Sequence, residues 1–126
     1  MPDRRCAPGA LSAIAVTDPQ ATICQAAYLR RVHDAVVAVT ESEAGRLYVA
    51  YGTAGALSGY RVDHLVAVAD GGSATRPANL WREPASQAEA KRRVEAQLHK
   101  RICAGEMTVA QAAMVLEGDR EDEGAR

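Results

Sequence analysis

The 126-residue chain has no phenylalanine, and aromatic residues of every kind make up only 4% of it. A core built from this sequence must rely on Val, Leu, Ile and Ala, with Trp81 and four tyrosines as its only large anchors. No run approaches the ~20 apolar residues needed to span a bilayer, so no membrane segment is expected. Near the start, Arg4 and Arg5 precede a short apolar stretch, Ala10 to Val16, that follows Pro8-Gly9. That pattern is not a convincing signal peptide. The three cysteines, Cys6, Cys24 and Cys103, form no C-x-x-C pair, so no zinc site is expected. They allow one disulfide with one thiol left over in an oxidising compartment, or three thiols in a reducing one. Net charge is only −1, which excludes a polycation.

The length suits one domain with one core. Residues 61–104 carry eight Lys/Arg against five Asp/Glu, whereas residues 105–126 carry two Arg against six acids. A basic middle tolerates phosphates and an acidic tail does not, although charge alone also fits a solvated helix face and a loose end. Residues 1–17 show no sustained period and are expected to form an irregular arm. A single domain is expected over 18–117, and an acidic, disordered tail over 118–126. Asp18-Pro19 has the form of an N-cap followed by Pro at the first helical position. The stretch up to Val39 is ambiguous, and Ala35 to Val39 could be a strand. Glu41 to Tyr51 is a better helix, stopped at Gly52.

Tyr60 to Ala69 gives the strongest strand signal, ending at Asp70-Gly71-Gly72, a turn sequence. Asn79-Leu80-Trp81 forms a short returning strand. Residues 85–104 predict a helix with Val94, Leu98 and Ile102 on one stripe and Gly105 as its cap. Thr108 and Gln111 have the spacing of a capping box, with Met107 and Ala112 at staple positions and Gly118 as the stop.

The order at the centre is strand, turn, strand, helix, with a histidine on the first strand. Tyr60-Arg-Val-Asp-His-Leu-Val66, Gly71-Gly72, Asn79-Leu-Trp81 and a helix carrying Lys91, Glu95, Leu98 and His99 before Cys103-Ala-Gly105 resemble the HNH (His-Asn-His) nuclease family. The resemblance is to a branch of short bacterial and phage-associated proteins. Cys6-x-Pro-Gly, Thr22-Ile-Cys24, Tyr28 and Ala110-Gln111-Ala112 extend it over roughly residues 6–115.

The resemblance implies an α+β fold with a ββα-metal core and flanking helices. It implies a metal-dependent endonuclease acting on DNA, ahead of RNA, with Mg²⁺ or Mn²⁺ as cofactor. His64 would be the general base, since a neutral imidazole can take a proton from water near physiological pH. Asp63 would hold the cation, which prefers oxygen ligands. Asn79 would brace the loop between the strands, its amide tying two backbone groups at once. Arg61, Arg76, Arg82, Lys91, Arg92 and Arg93 lie where they could meet phosphates. Cys24 with Cys103 could bridge, though sequence does not give connectivity.

The sequence departs from the family at the third signature position. Gln87 or Glu89 stands near the place of the usual helix ligand, Arg92 and Ala96 replace an acid and an Asn, and Arg82 replaces a proline. The alternative is therefore an inactive or weakened module that binds nucleic acid or a protein partner on the same scaffold. A cytoplasmic location is expected, with secretion as the alternative. Oligomeric state is left open.

Overall fold

The computed structural model describes residues 10–51 and 60–124; within it, the side chains of residues 43–51, 60, 61, 82 and 119–124 are left undescribed. The expectations for Cys6, Pro8-Gly9 and Gly52 lie outside the described residues, as do those for the side chains of Arg61 and Arg82. The described residues form four helices and one two-stranded antiparallel sheet, a mixed α and β fold.

Helix α1 is a single turn, Ala13–Thr17, begun by Ser12, whose Oγ accepts from the Ala15 N–H at 3.5 Å. It falls inside the segment expected to be irregular. Asp18 ends it and then accepts from Ala21 N at 3.0 Å, so Asp18-Pro19 opens a turn and not the next helix. Helix α2 runs Ala26–Tyr51 and takes in Ala35 to Val39, which had the composition of a strand. A short apolar run cannot distinguish strand from helix by period. Here helical neighbours on both sides carry it, and the Thr40 hydroxyl donates to Val36 O at 2.9 Å, a contact of successive helical turns.

Strand β1, Tyr60–His64, pairs with β2, Leu80–Pro84, in a register that sets Asp63 opposite Trp81 and His64 opposite Leu80. The strand expected to reach Ala69 stops at His64. Leu65 N still donates to Asn79 O at 2.7 Å, but beyond it the backbone bonds to a side chain instead of a partner strand. The chain then turns through a 3₁₀ turn at Val68–Asp70 and Gly71, whose φ of 100° suits only glycine.

Helix α3, Ala88–Cys103, buries Leu98 and Ile102 and half-buries Val94, the stripe expected from the sequence. Helix α4, Val109–Gly124, starts with the anticipated box: Thr108 N donates to Gln111 Oε1 at 2.9 Å, and Gln111 N to Thr108 Oγ1 at 3.1 Å. It passes through Gly118 and absorbs most of the segment expected to be a disordered tail. A glycine inside a helix costs only about 1 kcal/mol, less than is needed to stop one.

Ile23, Val66, Leu98, Ile102, Val109, Ala112 and Leu116 form the core, with Met107 packed against it. A disulfide joins Cys24 to Cys103, with the two Cα atoms 5.6 Å apart. No described helix is long and apolar enough to cross a membrane.

Candidate active site

Neighbouring residues of a strand point to opposite faces, yet Asp63 and His64 meet at the end of β1. The Asp63 carboxylate curls back to accept the His64 backbone N–H at 2.8 Å, and its Oδ1 lies 3.8 Å from His64 Nδ1. The other ring nitrogen, Nε2, is 2.8 Å from the carbonyl oxygen of Ala74. A carbonyl can only accept, so Nε2 carries the hydrogen and a neutral ring keeps its lone pair on Nδ1. The imidazole is only 4% exposed, whereas the Asp63 side chain is 29% exposed. His64 is also held from behind, because Lys91 Nζ donates to its backbone oxygen at 3.0 Å.

The loop that supplies Ala74 is fixed by Asn79, which is fully buried. Its Oδ1 accepts from Val66 N, and its Nδ2 donates to Val66 O and Ser73 O, each at 2.9 Å. One amide therefore satisfies three backbone groups on both limbs of the loop. Gly72 leaves room for this. A Cβ there would run into the Val66 carbonyl oxygen and come within 2.7 Å of Asn79 Nδ2.

Burial pushes the Asp63 carboxyl up, but the His64 ring when it carries its second proton, the His64 backbone N–H, Glu83 and the Lys91 charge together outweigh it. The net effect holds Asp63 well below the usual carboxylate range, so it is ionised at neutral pH. Glu83, which no sequence motif singles out, belongs to the same site. It sits on β2 opposite Arg61, two residues along from the partner of Asp63, so both acids share a sheet face. It is 1% exposed. Its period-two placement is implicit in the sequence, but a returning strand of Asn79 to Trp81 ends before it.

The other expected residues are placed differently. Gln87 is half-buried in the 3₁₀ turn Ala85–Gln87, and Glu89 is exposed in the first turn of α3. Arg76, Arg92 and Arg93 are exposed and free to meet an anion. Lys91 is not. Its side chain is 9% exposed and its ammonium is held by Glu95 Oε2 at 2.6 Å and by His64 O, so it braces the site and is not offered to a phosphate. By local spacing alone, Lys91 has no internal partner except Glu95, one helical turn away.

No protein-family model, curated protein or solved structure matches the chain. The case for a function therefore rests on the chemistry of the site.

Among the described residues, no three His, Cys, Asp or Glu side chains gather as a ready metal cage. A hard divalent ion retains several waters and can be held by one or two carboxylates. Asp63, ionised and partly exposed, fits that role. The disulfide removes Cys24 and Cys103 as thiolate ligands.

A second buried acid stands apart from this pair. Asp70 is fully buried, neither of its carboxyl oxygens has a hydrogen-bond partner, and His99 Nδ1 lies 3.8 Å from its Oδ1. Burial, reinforced by Glu95 and opposed by Lys91, pushes its carboxyl up to about 7. His99 Nδ1 is 2.6 Å from Ala69 O, and its Nε2 is 3.7 Å from Cys103 Sγ.

Proposed function

We propose that the chain is an endonuclease of the HNH type, with a ββα-metal core, that hydrolyses phosphodiester bonds in DNA. The observation that carries this reading is the orientation of His64. Its Nε2 is pinned to the Ala74 carbonyl, and its unprotonated Nδ1 faces the side of an ionised carboxylate. An imidazole so held is a general base with one available nitrogen.

In this scheme His64 Nδ1 takes a proton from the attacking water, and Asp63 holds Mg²⁺ or Mn²⁺ through its carboxylate. A bound ion of this kind draws charge from the scissile phosphate and the departing oxygen. Gln87 or Glu89 adds a further oxygen from the start of α3. Asn79 and Lys91 hold the backbone that aims the imidazole. Arg76, Arg92 and Arg93 meet the nucleic-acid backbone, which predicts little sequence preference and strong salt dependence.

The test is cleavage of supercoiled plasmid with Mg²⁺ or Mn²⁺, run beside a His64→Ala control. Cleavage by the native chain alone supports the assignment, and equal cleavage by both removes it.

One observation favours a second reading, a nucleic-acid-binding module without catalysis. The imidazole is almost closed off from solvent. Retained DNA binding with no divalent-ion affinity would select this reading. The Cys24–Cys103 bridge also supports an oxidising compartment, and so secretion over the cytoplasm.

A further inference from the structure

A cavity of about 250 Å³ is lined in part by the loop that holds His64. The N-terminal segment forms one wall, because Leu11 bridges to Gly72 and Ser73 N donates to Ala10 O at 2.8 Å. Tyr28 of α2 forms another, and the loop from Gly72 to Arg76 completes it. Its volume falls just below the ~300 Å³ at which small-molecule sites usually begin, which suits one planar ring with its phosphate and not a large cofactor.

The lining has a definite chemical bias. Arg76, Ser12, Ser73 and Thr75 line the cavity, and no acidic residue does. Ser73 Oγ accepts from Arg76 N at 3.2 Å and Ser12 Oγ accepts from Ala15 N, so each keeps its own hydrogen to donate. Tyr28 adds an aromatic ring, already attractive to positive charge, with the Arg31 guanidinium 5.9 Å from its centroid. Hydrogen-bond donors and positive charge beside an aromatic ring are the components that bind phosphate and stack a base.

We propose that this cavity is a nucleotide subsite, taking the base against Tyr28 and the phosphate at Arg76, Ser12 and Ser73. Its link to the nuclease reading is Ala74, which lines the cavity and whose carbonyl holds His64 Nε2. A strand seated here therefore presses on the same loop that aims the general base. The inference rests on that reading for the place of the subsite beside the cleaved bond, but its binding test does not need cleavage.

The experiment titrates ¹⁵N-labelled full-length protein, without divalent ions, with deoxyadenosine 5′-monophosphate and separately with inorganic phosphate. The expected result is amide shifts across Gly72 to Arg76 with the nucleotide, and weaker ones with phosphate. Arg76→Ala should weaken both ligands. Tyr28→Leu should weaken the nucleotide about tenfold and leave phosphate unchanged, with Tyr28→Phe restoring it because the ring is what matters. Equal affinity for nucleotide and phosphate, shifts confined to α3, or no shifts at millimolar ligand each overturn the proposal. Shifts at the loop in a protein that cuts no plasmid uphold the subsite and reject the nuclease. Plasmid cleavage without loop shifts does the reverse.

Discussion

His64 Nε2 lies 2.8 Å from the carbonyl oxygen of Ala74, and this single contact decides which ring nitrogen is available for chemistry. A residue that keeps the contact but lacks a basic nitrogen should preserve the fold and remove catalysis. His64→Gln is that residue, because its amide can still donate to Ala74 O. Cleavage of a chromogenic phosphodiester should fall about 10²- to 10⁴-fold, the usual contribution of a general base, with little change in the circular-dichroism melting curve. Undiminished turnover would exclude His64 as the base.

Asn79 should prove the more sensitive position for stability. Asn79→Ala leaves three buried backbone groups on Val66 and Ser73 without partners, at about 1–3 kcal/mol each. A loss of at least ~3 kcal/mol in urea unfolding is expected. Asn79→Asp should be no better, since a carboxylate cannot donate to the two carbonyls. A loss below ~1 kcal/mol would mean the loop is held by other contacts.

Asp70 should make the protein less stable as pH rises. Its folded carboxyl titrates at about 7 against an ordinary value of 3.8. Below the ordinary value both folded and unfolded states are protonated. Between the two values only the unfolded state ionises, so stability falls as pH rises through that interval and is flat above it. The full effect is at most about 4 kcal/mol, at 1.36 per unit. Asp70→Asn should flatten the slope between pH 4 and 7 in denaturation midpoints and raise stability at pH 8. An unchanged slope would assign the pH dependence elsewhere.

Reduction of Cys24–Cys103 should destabilise the fold without changing its elements. The bridge spans 79 residues of sequence, for which loop-closure entropy gives about 4–5 kcal/mol. Dithiothreitol should lower the melting temperature and the Cys24→Ser, Cys103→Ser double variant should match it. Identical melting of oxidised and reduced protein would deny the bridge a stabilising role.

What could be read from the sequence was whatever depended on local spacing. Leu98 and Ile102 repeat one helical turn apart, and Thr108 with Gln111 satisfies a local rule, so both features were found. Asp63, His64 and Asn79 stand out in the sequence only through resemblance, and their approach in space has no local signal. The failures came where tertiary partners decide. Ala35 to Val39 is apolar enough for a strand but continues a helix. Leu65 and Val66 are strand-forming residues, yet the sheet stops there because the Asn79 side chain takes the Val66 backbone. Lys91 faces inward because an oxygen 27 residues away accepts from it. Asp70 was read as part of a turn, and nothing in a turn sequence reveals that its carboxyl is sealed from water.

Both strands, the loop between them and the whole of helices α2 and α3 lie inside the ring closed by Cys24 and Cys103. Thr75 to Ala78 is the exposed part of that loop. A protease that nicks the chain there produces two fragments that stay covalently joined, migrating as one species on a gel until a reductant is added.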